Sequence, residues 1–82
     1  MSKYSLMVVT WYDAYEIQET TQHENFGKGV KTVSVGLLIS ENKDTITLGR
    51  DYFNVANKPW RVVTVIRKKD IVNVKKVKDV VI

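Results

Sequence analysis

Eight basic side chains fall between residues 58 and 78: Lys58, Arg61, Arg67, Lys68, Lys69, Lys75, Lys76 and Lys78, opposed there by Asp70 alone. The chemistry open to such a group is the holding of anions, because lysine and arginine neutralise phosphates and release their counterions. Aromatic residues lie near it. Trp60 directly precedes Arg61, which offers a ring to stack on a base beside a cation for its phosphate. Trp11, Tyr12 and Tyr15 surround Asp13, and aromatics stack on bases in proteins that hold single strands. Each of these has a plainer role. A small barrel needs large side chains inside it, so at least one of the first aromatic group belongs to the core, and Trp60 fits there as readily. Asp13 at a strand end either caps the next turn through backbone N–H groups or lines a ligand pocket. The candidate ligand-binding set is Trp11, Asp13, Trp60, Arg61, Arg67, Lys68 and Lys69.

Other chemistry is poorly served. His23 is the only histidine, and with Glu19 and Glu24 it supplies one nitrogen ligand, too few for a zinc-type site. Neither a metal nor another cofactor is expected. Ser34 and Ser40 have no histidine near them in sequence to act as a base. There is no cysteine, hence no disulfide, thiolate nucleophile or thiolate metal site, a composition compatible with a reducing cytoplasm. Gly27-Lys28-Gly29 lacks the strand-loop-helix frame of a phosphate loop and reads as a turn, although Lys28 and Lys31 are available there to an anion. No acid and base stand at a recognisable catalytic spacing, so the chain is not expected to be an enzyme.

The elements that must position the bases are strands. Trp60, Val62, Val63, Val65, Ile66, Ile71, Val72, Val74 and Val77 interleave with the positive charges, and so many β-branched residues suit a sheet with bases on its water face rather than a solvated tail. Lysine also guards sheet edges against aggregation, which is the plain alternative to a ligand surface. The chain has 82 residues, enough for one domain spanning 1–82. Charge is uneven along it. Residues 1–29 hold two bases against four acids, and residues 30–82 hold eleven against five, which favours anionic partners for the later part. No apolar run of about 18 residues exists to span a membrane. Tyr4–Thr10 is too short and too polar-flanked for a signal peptide, so a cytoplasmic location is expected.

Five strands are predicted. The first covers Ser5 to Tyr12. Asp13 to Gly29 forms a long polar connection with room for a short strand near Tyr15–Ile17. The second strand covers Val30 to Ser40, with Val33 and Val35 on one side, Thr32 and Ser34 on the other, and a bulge or bend at Gly36. Asn42-Lys43-Asp44 is a tight turn, and the third strand begins at Thr45 with a bend at Gly49. Pro59 ends a second connection. Trp60 to Arg67 is the fourth strand, Lys68-Lys69-Asp70 a break long enough for one helical turn, and Ile71 to Val77 the fifth. Lys78 to Ile82 reads as a tail. Helical periodicity is nearly absent. The fold expected is all-β, a small five-stranded barrel of SH3-like or Sm-like order with a long loop after the first strand.

Several segments carry a resemblance. Thr10-Trp11-Tyr12-Asp13-Ala14, Ser34-Val35-Gly36-Leu37-Leu38-Ile39, Ile46-Thr47-Leu48, and Val65-Ile66-Arg67-Lys68-Lys69-Asp70-Ile71 with Val74 resemble a family of small uncharacterised bacteriophage proteins. Its members look like W-x-D-A near the start, S-V-G-x-L in the middle and I-P-K-x-x-I-x-x-I at the end. The match is scattered over half the chain. Arg67 stands where the family often has proline. The resemblance implies a phage or prophage source, hence a host-cell cytoplasm, and a small β fold; it brings no established activity.

The function expected from the residues is a non-enzymatic binding module for nucleic acid or a nucleotide, with a basic face and stacking aromatics. One variant is a sponge that sequesters a host defence nucleotide. The alternative is a protein-interaction module docking an acidic host or virion protein, by strand addition at a sheet edge. Val80, Val81 and Ile82 end the chain without polar cover. They lead to the further expectation of a homo-oligomer, a dimer or small ring, with this segment packed on a neighbour.

Overall fold

The computed structural model describes residues 2–13, 29–53 and 57–82. Within them the chain forms strands β1 (Lys3–Asp13), β2 (Val30–Glu41), β3 (Thr45–Tyr52), β4 (Trp60–Arg67) and β5 (Ile71–Val81), with a single 3-10 turn, Lys68–Asp70, between β4 and β5. All pairings are antiparallel, and the order across the sheet is β4-β3-β2-β1-β5. The expected short strand at Tyr15–Ile17, the Gly27–Gly29 turn and His23 involve residues outside those described.

One strand serves two halves of the sheet. β2 pairs with β1 over Val30–Leu37 and with β3 over Leu37–Glu41, with a register shift between Leu38 and Ser40. The shift lies beyond Gly36, where the sequence places a bulge or bend; Gly36 itself sits in unbroken register with β1. A Cβ on Gly36 would stand 3.0 Å from the Gly49 carbonyl oxygen and 3.2 Å from the Leu48 Cβ, so any larger residue there would press β3 away by a few tenths of an ångström. The consequence is visible in the core. Met7 and Val9 of β1, Ile46 and Leu48 of β3, and Ile66 of β4 are buried together, with Trp11, Leu38 and Ile71 packed against them. In a flat sheet, β1 and β4 would lie three strand spacings, about 14 Å, apart. Their shared core requires the sheet to fold over on itself.

The fold is all-β, as the sequence indicates, but the sheet does not close into a barrel. β4 and β5 are its outer strands and do not pair with each other. The three-residue turn carries the chain from the β2-β3-β4 half directly to the β5-β1-β2 half, where β5 pairs along β1 instead. The turn is anchored, since the Lys68 N–H donates to the Asp44 carbonyl at 2.8 Å. Asp44 belongs to the β2–β3 turn, which is organised by the Asn42 side chain. Its Oδ1 accepts from the N–H groups of Asp44 and Thr45, each at 2.8 Å, the Asx pattern expected at such a turn.

The expected tail is strand. Val80 pairs with Tyr4 and Val81 with Lys3, and Ile82 N–H donates to the Ser2 carbonyl at 2.9 Å. The backbone of residues 80–82 therefore lies against its own β1.

Candidate anion-binding site

The 3-10 turn presents Lys68 and Lys69, with Arg67 just before it. Arg67 Nε donates to Asp70 Oδ2 at 3.0 Å, and Lys68 Nζ lies 2.7 Å from Glu41 Oε2. Lys69 is exposed and makes no ion pair with a described residue. Beside this turn the folded sheet leaves an apolar groove of about 350 Å³. Met7, Leu38, Ile46, Ile71 and Val74 line it, and the Lys68–Glu41 pair stands at its lip. The groove follows from the open fold. Val74 pairs with buried Val9, yet among the described residues no strand covers its other flank. Surface ion pairs contribute roughly 0–1 kcal/mol, so an incoming phosphate can displace Glu41 from Lys68 at small cost.

The remaining candidates sit elsewhere. Trp11 packs against the core, and its Nε1–H donates to Ser34 Oγ at 3.0 Å. Asp13 ends β1 opposite Val30. Trp60 is half-buried in an aromatic cluster, edge-on to Tyr4 with centroids 5.1 Å apart and to Tyr52 at 5.2 Å. Arg61 is exposed, donates to Asp51 Oδ2 at 3.3 Å and lies 4.6 Å over the Phe53 ring. The fold thus gathers Arg67, Lys68 and Lys69 at one place, and holds Trp11, Trp60 and Arg61 in contacts of their own.

One set of residues escaped the sequence reading, and a second, visible there only as residue types, is brought onto a common face by the fold. One is the groove lining, whose members come from β1, β2, β3 and β5 and share no motif. The other is the outward face of β5 and β2, where Lys75 stands opposite Val8, Lys78 opposite Leu6 and Lys31 opposite Tyr12. None of these three lysines pairs with a described carboxylate.

On β5, Lys76 Nζ lies 2.8 Å from Asp79 Oδ1. That hydrogen bond, with Lys3 nearby, holds the Asp79 carboxyl below its ordinary value. A depressed carboxyl stabilises the fold above its unfolded pKa of about 3.9, and the contribution is lost as pH falls through the lower folded value. Asp79→Asn is expected to flatten the dependence of thermal stability on pH below about pH 4 and to leave the neutral-pH fold intact. An unchanged acid limb in the variant refutes the assignment.

Comparison with protein-family models, with curated proteins and with solved structures found no match for this chain.

Proposed function

We propose that this chain is a non-enzymatic binding module for a phosphate-bearing ligand, a nucleotide or single-stranded nucleic acid. The observation that carries the reading is the placing of the apolar groove directly beside the basic turn. Ligand sites are concave and mostly apolar, with a few convergent polar groups. The groove takes the base, the Lys68 and Lys69 ammonium groups take the phosphate, and Glu41 accepts from an exocyclic N–H. Lys75, Lys78 and Lys31 add to the positive field from the other face of the sheet. For the phage-type source that the sequence motifs suggest, a sponge for a host signalling nucleotide is the form this binding takes. Native mass spectrometry of protein purified from phage-infected cells then finds a discrete small-molecule mass.

The direct test is fluorescence anisotropy with labelled RNA, single-stranded DNA and a labelled nucleotide, titrated with salt. Lys68→Glu combined with Lys69→Glu is expected to weaken binding by about tenfold or more and to flatten the salt dependence. Folding should stay within about 0.5 kcal/mol per site, as for other surface changes. Val74→Trp, which fills the groove, is expected to remove nucleotide binding. Absence of binding to all three probes at low ionic strength defeats the proposal, as does unchanged affinity in the double variant.

A further inference from the structure

The two outer strands of the sheet are guarded very differently. β5 carries Lys75, Lys76 and Lys78 against Asp79 alone, the charged edge that natural sheets use to prevent pairing with another chain. β4 carries no lysine; its charges are Arg61 and Arg67, and its backbone departs from regular strand at Val62, where φ is 59°. One face of it presents Arg61, Val63, Val65 and Arg67, opposite Asp51, Gly49, Thr47 and Thr45 of β3. Val63 is 48% exposed and Val65 59%. Each arginine is held in an ion pair within the chain, Arg61 with Asp51 at 3.3 Å, a carboxylate that Arg50 shares at 3.5 Å, and Arg67 with Asp70 at 3.0 Å. The edge is therefore apolar in the middle, with its two arginines held in ion pairs toward the ends.

We propose that β4 is a self-association edge: the β4 strand of a second copy adds to it antiparallel, about a twofold axis at Thr64, so that one sheet runs through both subunits. Three observations favour a second copy over a foreign strand. Both charges on β4, Arg61 and Arg67, are already held in ion pairs, so the strand offers no free charge of its own to steer a foreign partner toward it. The row is self-complementary under the twofold, which sets Val63 of one copy opposite Val65 of the other and brings Arg61 with its Asp51 beside the other copy's Arg67 with its Asp70. Cross-strand apolar pairs are the unit of sheet stabilisation. Finally, the buried core among the described residues is Met7, Val9, Ile46, Leu48 and Ile66, with no cysteine in the chain to reinforce it. Domains of this size commonly gain their missing burial by oligomerisation. The proposal moves the assembly surface from residues 80–82, which pair with their own β1, to the opposite edge of the sheet. It does not rest on the anion-binding reading.

The chain lacks cysteine, so single-cysteine variants report cleanly. At a twofold axis on Thr64 the two Cα atoms of that residue lie about 4.5–5.5 Å apart, within disulfide reach. Thr64→Cys is expected to form a crosslinked dimer on mild oxidation, and Val72→Cys on β5 is expected not to. Light scattering at micromolar concentration should give a dimer mass for the unmodified chain. Val65→Lys, which places a guard on an exposed position and leaves the core untouched, should give a monomer with an unchanged circular dichroism spectrum. A monomer mass for the unmodified chain overturns the proposal. So does a dimer that persists in Val65→Lys, or crosslinking through Val72→Cys in place of Thr64→Cys.

Discussion

Ile66→Ala is expected to cost about 2–5 kcal/mol, enough to threaten the folded state of a domain this small. Ile66 lies on an outer strand, where side chains are usually half in water, yet it is fully buried. It pairs with Ile46 of β3 and shares one buried cluster with Val9 and Met7 of β1. It therefore joins the two halves that β2 connects covalently. Truncation leaves a cavity that cannot collapse easily, because the β4 backbone is held to β3 from Trp60 to Arg67. Ile66→Val, which removes one methylene, should cost about 0.5–1.5 kcal/mol and gives a measurable midpoint if the alanine variant does not fold. Val72→Ala, at an exposed site on β5, should stay within about 0.5 kcal/mol. Urea unfolding of the three variants at a common slope is the measurement. Equal midpoints for Ile66→Ala and Val72→Ala would remove Ile66 from the role given to it.

The contrast between Ile66 and its neighbours shows what the sequence reveals and what it withholds. β4 and the turn after it are legible at their observed bounds, because Pro59 precludes a central strand before Trp60 and the polar Lys68-Lys69-Asp70 interrupts the valine run after it. Gly36 and Gly49 are legible as special positions and are places of close approach, while the register shift of β2 lies between Leu38 and Ser40. The extent of β5 is not. Lys78 and Asp79 look like the start of a tail, but an outer strand with one edge and one face in water accepts charge without ending. Alternation in β2 separates Val33 and Val35 from Thr32 and Ser34 but cannot say which side is inward. The register sets Ser34 beside Val9, where its hydroxyl takes the Trp11 N–H, and leaves Val33 and Val35 exposed. The candidate site divides in the same way. The bases are visible as residue types. Their partners are supplied by folding, as with Arg61 and Asp51 facing each other across β3 and β4, or Lys68 meeting Glu41 from the end of β2. The groove is a product of the folded-over sheet alone.

Gly49→Ala is expected to destabilise the protein by about 1–3 kcal/mol, through space rather than through backbone conformation. Among the described residues, positive φ occurs at Val62 and Gly29 but not at Gly49, so alanine is free to adopt the backbone found there. The obstacle is the Trp60 ring. A Cβ on Gly49 would run into its Cε3, and would lie 2.9 Å from its Cδ2 and 2.7 Å from Ile39 Cδ1. The isoleucine methyl can rotate away cheaply. The indole cannot, because Tyr4 and Tyr52 hold it edge-on from two sides, and such pairs contribute roughly 0.5–1.5 kcal/mol each beyond their burial. To admit the methyl, the ring must move as a body and break those contacts. The test is a double-mutant cycle with Trp60→Leu. Each single change should lower the urea midpoint, and the pair should be less destabilising than their sum, by about 0.5–3 kcal/mol. Strict additivity would mean that the ring is not what excludes the methyl, and the requirement for glycine would then lie in the β3 backbone itself.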